Sequence, residues 1–233
     1  MTIDLAALTA HNLARWQQVK LTRDFSAVVR RLAASEARYQ VVSAQTGVPW
    51  YVIAVIHERE SSQSWSASLA QGDLWDRVSI HVPAGRGPFK SWEDAAVDSL
   101  ANCAPYAARW KDWSIGGTLT LLEQYNGLGY FRRGVPSPYI WAGTDQYRSG
   151  KYVRDGVYDP AVVDRQLGCA GLLLAMKALD ASIFPSNASV PSVPPPSQAM
   201  PAPRPSISHP AKGSIGDLVA SLVRTVILTF KRS

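Results

Sequence analysis

The sequence predicts a mainly α fold with one small β lobe, followed by a proline-rich linker and a short C-terminal amphipathic helix. Three observations carry this prediction. Apolar residues recur at three- and four-residue steps through most of residues 5–181. That period fails between residues 69 and 90, where glycine and proline cluster. Beyond Phe184 the composition turns abruptly to Pro, Ser and Ala. The expected domains are therefore residues 1–184 (globular), 185–213 (linker) and 214–233 (terminal helix).

Residues 5–21 read as an amphipathic helix, and 26–46 as a longer one with Val28, Val29, Leu32, Tyr39 and Val42 on one stripe. Gly47-Val48-Pro49 breaks the pattern, and Pro49 sits where a new helix begins. That helix, residues 50–62, opens with Tyr51-Val52-Ile53-Ala54-Val55-Ile56. A run apolar on all sides belongs in the centre of a fold. Residues 69–90 are expected to form a hairpin or irregular β lobe, with Val78-Ser79-Ile80-His81-Val82 alternating like a strand. Ser91, with Asp94 three residues on, caps the next helix. Further helices are expected over 117–125 and 160–181, the latter capped by Asp159 with Pro160 in its first turn. A glycine- and aromatic-rich loop region, 127–158, lies between them.

At 233 residues, 46% hydrophobic and 18% charged, the chain suits one good-sized domain with an appendage. A net charge of +6 and a pI of about 9.4 favour polyanionic partners. The charge is unevenly placed. Arg204, Lys212, Arg224, Lys231 and Arg232 against Asp217 give the tail +4, leaving +2 for the rest. Such a body is not a nucleic-acid binder, because the basic residues sit in a short tail with few interleaved aromatics. Eight Trp and nine Tyr are many for this length, and exposed aromatics stack on sugars or bases. Cys103 and Cys169 either pair or remain two buried thiols. No Cys or His spacing suggests a metal, and no cofactor is expected. Residues 1–20 lack a basic start followed by an apolar run, so no signal peptide is expected.

Chemistry concentrates in Ile56-His57-Glu58-Arg59-Glu60-Ser61-Ser62. A buried helix ending in ionisable groups pushes charge toward a low dielectric, which raises a carboxyl pKa as a general acid requires. Ile53, Ile56, His57 and Glu60 share one stripe, whereas Glu58 falls roughly opposite. If that stripe faces inward, Glu60 emerges at the rim of the core and Glu58 does not. The plainer reading pairs both carboxylates with Arg59 or another base on a solvated helix end.

The run Thr46-Gly47-Val48-Pro49-Trp50-Tyr51 through Ile56, then Arg59-Glu60-Ser61, resembles the catalytic helix of lysozyme-like muramidases and lytic transglycosylases. Glu123-Gln124-Tyr125-Asn126-Gly127 is similar to the tyrosine-asparagine motif of the transglycosylases. Gln71-Gly72-Asp73, residues 80–86, residues 125–130, Ser137-Pro138-Tyr139-Ile140-Trp141 and residues 150–156 resemble, in the same order, motifs of phage and bacterial lysozyme-family endolysins. The resemblance covers residues 39–176 and implies a lysozyme-like α+β fold and peptidoglycan cleavage. It also implies roles for individual residues. Glu60 is the expected general acid, Asp73 the base or stabiliser, and Ser79, six residues further on, the hydroxyl partner. Serine stands where phage-type lysozymes carry threonine, and the gap from Glu60 to Asp73 is longer than theirs. Tyr125, Asn126, Tyr130, Tyr139 and Trp141 are expected in the sugar groove, with Tyr147 and Tyr152 further along it. His57 and His81 are candidate substrate contacts, although a lone histidine on an apolar stripe is more often a hydrogen-bonded core residue.

The expected activity is hydrolysis of the β-1,4 bond between N-acetylmuramic acid and N-acetylglucosamine. Two alternatives stand beside it: a lytic transglycosylase using Glu60 alone, and a non-catalytic wall-binding module. The expected partner is the peptidoglycan glycan strand, met by a monomer. The terminal helix has Leu218, Leu222, Val226 and Phe230 on one stripe, with Arg224, Lys231 and Arg232 suited to anionic membrane or lipopolysaccharide. Docking on the body or dimerisation is its other reading. Cytoplasmic accumulation with holin-dependent release to the periplasm or cell wall fits this picture.

Overall fold

The computed structural model describes residues 3–70, 72–154 and 156–183. The expected linker and terminal helix lie outside the described residues. The described chain is mainly helical with a small two-stranded antiparallel sheet.

Helix α1 (Leu5–Trp16) starts at Asp4, whose carboxylate accepts from the amides of Ala6 and Ala7. It ends earlier than the expected residue 21. The single helix expected over 26–46 is two: α2 (Ser26–Ala34) and α3 (Glu36–Thr46), separated at Ser35, where ψ is 7°. The apolar period continues across this joint, so periodicity does not reveal it. Gly47 then closes α3 at φ 71°, a left-handed position that suits a residue without Cβ.

Helix α4 (Trp50–Ser61) begins immediately after Pro49, and every one of its residues is buried. Helices α2, α3 and α9 (Cys169–Leu179) pack around it. On the other side of α3 lies α5 (Trp92–Asn102), capped as expected by the Ser91 hydroxyl on the Asp94 amide. A second layer joins α1 to α6 (Ile115–Tyr125). Thr9 Oγ1 meets Thr120 Oγ1 at 2.9 Å between those helices.

Three expectations are corrected. Residues 78–82 form no strand. Two of their amides, Ile80 and His81, point to the Asp73 carboxylate at 3.0 Å each and so cannot form a ladder. The lobe is an irregular loop with an isolated bridge between Ala67 and Leu74. The sheet lies instead within the region expected to be loop, where β1 (Lys151–Arg154) pairs with β2 (Val157–Asp159). That region also holds α7 (Gly129–Arg133) and α8 (Pro138–Trp141). Finally, residues 160–168 are not helical. Asp159 makes a local turn with the Ala161 amide, and α9 begins only at Cys169. Tertiary bonds of Asp164 and Gln166, described below, hold this stretch open.

Candidate active site

The end of α4 is built for one exit path. Ser62 and Gln63 both take positive φ, 52° and 63°, which is unfavourable for residues with a Cβ. Their amides return to Glu58 O (2.9 Å) and His57 O (3.2 Å), closing the last turn. Gln166 reaches across with its side-chain amide to Glu58 O (3.0 Å) and Arg59 O (2.9 Å). Carbonyls that a helix end leaves unsatisfied are thus met without water.

Within this turn Glu60 is 6% exposed, and its Oε1 accepts a 2.9 Å hydrogen bond from the Tyr139 hydroxyl on α8. Burial, and then the negative charge of Glu60, push the Tyr139 phenol well above its usual range, so it remains a donor. Arg59 lies over the Tyr139 ring at 4.6 Å and pairs with Asp164 at 3.3 Å. Lys151 completes that network at 3.1 Å from Asp164. Burial opposes ionisation of Asp164, but Arg59 and Lys151 outweigh it and keep its carboxyl below the ordinary value. Glu58 is buried as well, at 8%, so exposure does not separate the two glutamates. Their partners do: Glu58 Oε2 accepts from Gln63 Nε2 at 2.7 Å, on its own turn of chain.

Gly72 passes close to the end of α4. A Cβ there would lie 3.7 Å from Glu60 O, and the glycine holds φ +70°. Asp73 follows directly in the chain, in the loop lobe whose Gly72 runs past the end of α4. The Asp73 carboxylate accepts from Ile80 N, His81 N and, at 2.5 Å, His81 Nδ1. Partial burial opposes its ionisation. The bonds from His81 and Ile80 prevail and hold it below the usual range, as an anion.

The remaining expected site residues divide clearly. Ser79 Oγ donates to Pro83 O (3.1 Å) and accepts from Arg86 N (2.9 Å), so its hydroxyl pins the loop. His57 is fully buried, with Nδ1 at 2.9 Å from the Tyr39 hydroxyl and Nε2 at 3.0 Å from Ser64 O. Rings of Trp65 and Trp92 flank it, and burial pushes its pKa down to about 4. It is a neutral core histidine, not a groove residue. Tyr125 and Trp141 are core residues at 2% and 1% exposure. Tyr130 is also buried and accepts from the Tyr152 amide at 3.1 Å. Asn126 bonds Ser137 at 3.2 Å, two residues from Tyr139, which ties the 125–127 segment to the Glu60 partner. The structure therefore joins Glu60 to Tyr139, ties Asn126 to the segment that carries Tyr139, and pairs Asp73 with His81. It also shows Arg59, Asp164, Lys151 and Gln166 holding the Glu60 turn, roles that sequence reasoning did not assign. Cys103 and Cys169 are both buried and form no disulfide with each other.

Comparison with protein-family models, curated proteins and solved structures finds no match.

Proposed function

We propose that the chain cleaves the β-1,4 glycosidic bonds of peptidoglycan, with Glu60 as the general acid. The observation that carries this reading is Glu60, 6% exposed at the end of an all-buried helix, with Oε1 held 2.9 Å from the Tyr139 hydroxyl. Burial disfavours the ionised form of a carboxyl and so favours the acid that a leaving glycosidic oxygen needs. Tyr139 fixes the plane of that carboxyl, and Arg59, Asp164 and Gln166 fix the turn that carries it. Asp73 stands as the anion. As the sugar acquires oxocarbenium character, Asp73 stabilises it or orients the attacking water.

A second reading is favoured by one observation. Ser79 is spent on its loop and Asp73 already accepts three donors, which leaves Glu60 the better placed group to act alone. In that route Glu60 protonates the leaving oxygen. Its carboxylate then takes the proton of the substrate's own hydroxyl as that oxygen closes an anhydro ring. Mass analysis of digested purified peptidoglycan distinguishes the two, since anhydro products are lighter by one water. Absence of any soluble muropeptide would reject both and leave a wall-binding module.

A further inference from the structure

Remote from the α4 turn in sequence, α6 carries one acid in an otherwise apolar stretch. Leu119, Leu121 and Leu122 are fully buried, and Glu123 is 3% exposed. Glu123 lines a cavity of about 110 Å³ between α1, α6, α7 and residues 134–137. A cavity of about 150 Å³ holds benzene, so this smaller one suits a group the size of glycine or alanine, not a sugar ring. The walls are mixed. Leu8, Phe131, Val135 and Trp141 supply apolar surface, while Asn12, Arg15, His11 and Ser137 supply polar groups.

The carboxylate is incompletely matched. Glu123 Oε2 accepts from Asn12 Nδ2 at a long 3.3 Å, and no donor meets Oε1 among the described residues. Glu123 lines the cavity wall, so a donor brought in by a ligand can complete the carboxylate's hydrogen bonding. Burial pushes this carboxyl up to about 7, with Asn12 and then Arg15 acting against the rise. Arg15 faces the same cavity, and among the described residues its hydrogen bond is Nη1 to Gln146 Oε1 at 3.4 Å. A guanidinium carries five N–H donors, so most of its donors remain for another acceptor. Among the described residues no cluster of three His, Cys, Asp or Glu side chains surrounds the carboxyl, so this is not a metal-ligand set.

We infer that this cavity binds the zwitterionic head group of a small α-amino acid, its ammonium on Glu123 and its carboxylate on Arg15. An anion on the floor and a cation beside it match a ligand whose own charges are fixed on one carbon. The apolar walls take a side chain no larger than methyl. Charge-assisted hydrogen bonds at both ends give selectivity over ligands with one charge. The inference does not depend on glycan cleavage.

The test is calorimetric titration of the full chain at pH 8 with glycine, L-alanine and D-alanine, with ethylamine and acetate as single-charge controls. Saturable binding of an amino acid, at least tenfold tighter than either control, is the expected result. Glu123→Gln and Arg15→Gln should each weaken it at least tenfold. Arg15 is only half-buried, so its variant keeps the test valid if Glu123→Gln does not fold. Ethylamine or acetate binding as tightly as alanine, unchanged binding in Arg15→Gln, or no saturable binding at all would overturn the proposal.

Discussion

The Tyr139 hydroxyl donates to Glu60 Oε1 across 2.9 Å, joining residues 79 positions apart in the chain. A phenol held this way stabilises the ionised carboxylate more than the neutral acid. Tyr139→Phe therefore moves the alkaline limb of the pH–rate profile to higher pH. It also lowers kcat by about tenfold to a hundredfold, in the range of a lost positioning or acid–base contribution. Steady-state turnover of solubilised peptidoglycan from pH 4 to 9 checks this; an unmoved limb contradicts the pairing.

Ser79 separates a structural from a chemical hydroxyl. Ser79→Ala removes one bond to Pro83 O and one from Arg86 N, costing about 1–3 kcal/mol of stability. Turnover at a temperature where the variant stays folded should lie within about threefold of wild type, under 1 kcal/mol in barrier. A hundredfold loss would return Ser79 to the chemistry.

Arg59 and Asp164 form an ion pair with side chains 4% and 5% exposed. Removing one partner of such a pair leaves a buried uncompensated charge, costing about 3–5 kcal/mol. Asp164→Asn should lower the melting temperature by roughly 10 °C, using about 2–4 °C per kcal/mol for a domain of this size. Calorimetry checks it. A drop under about 3 °C would mean that Lys151 and Arg59 find other partners.

Two buried groups make opposing contributions to the pH dependence of stability. His57 is pushed by burial from 6.5 down to about 4, so stability declines as the pH falls from 6.5 toward 4. Glu123 is pushed by burial from 4.5 up to about 7. Its ionisation cost is absent below 4.5, grows between 4.5 and 7 and is complete above 7. Each amounts to about 3 kcal/mol, and between pH 4.5 and 6.5 their slopes offset each other. Glu123→Gln should therefore be more stable than wild type at pH 8 and lose stability on acidification below 6.5. Urea unfolding at pH 5, 6.5 and 8 reads this directly. A variant less stable than wild type at pH 8 would contradict it.

Much of the fold was legible where local chemistry and global packing agree. The apolar run of residues 51–56, with Gly47 and Pro49 before it, specifies α4, and Ser91 with Asp94 specifies the start of α5. Elements were misread where a side chain bonds distant backbone. The alternation of residues 78–82 reads as a strand, but the Asp73 carboxylate claims their amides. The helical pattern after Pro160 gives way because Asp164 and Gln166 bond Arg59 and the α4 carbonyls more than 100 residues away. Helix-face geometry does not separate Glu60 from Glu58, since both are buried; Glu60 and Asp73 are expected from the resemblance. The Tyr139–Glu60 bond could not be read from the sequence, because nothing local encodes a contact between α4 and α8. Glu123 has a visible signal in the sequence, a single acid directly after a run of leucines, but the motif that contains it points to its tyrosine-asparagine pair.

The central claim is that Glu60 cuts glycan. The direct measurement is release of muropeptides from purified peptidoglycan by wild type, Glu60→Gln and Glu58→Gln, each shown folded by circular dichroism. The account predicts that Glu60→Gln loses activity by at least about a thousandfold, roughly 4 kcal/mol in barrier, while Glu58→Gln retains most of it. Clearing by Glu60→Gln at the wild-type rate, or loss confined to Glu58→Gln, would contradict it.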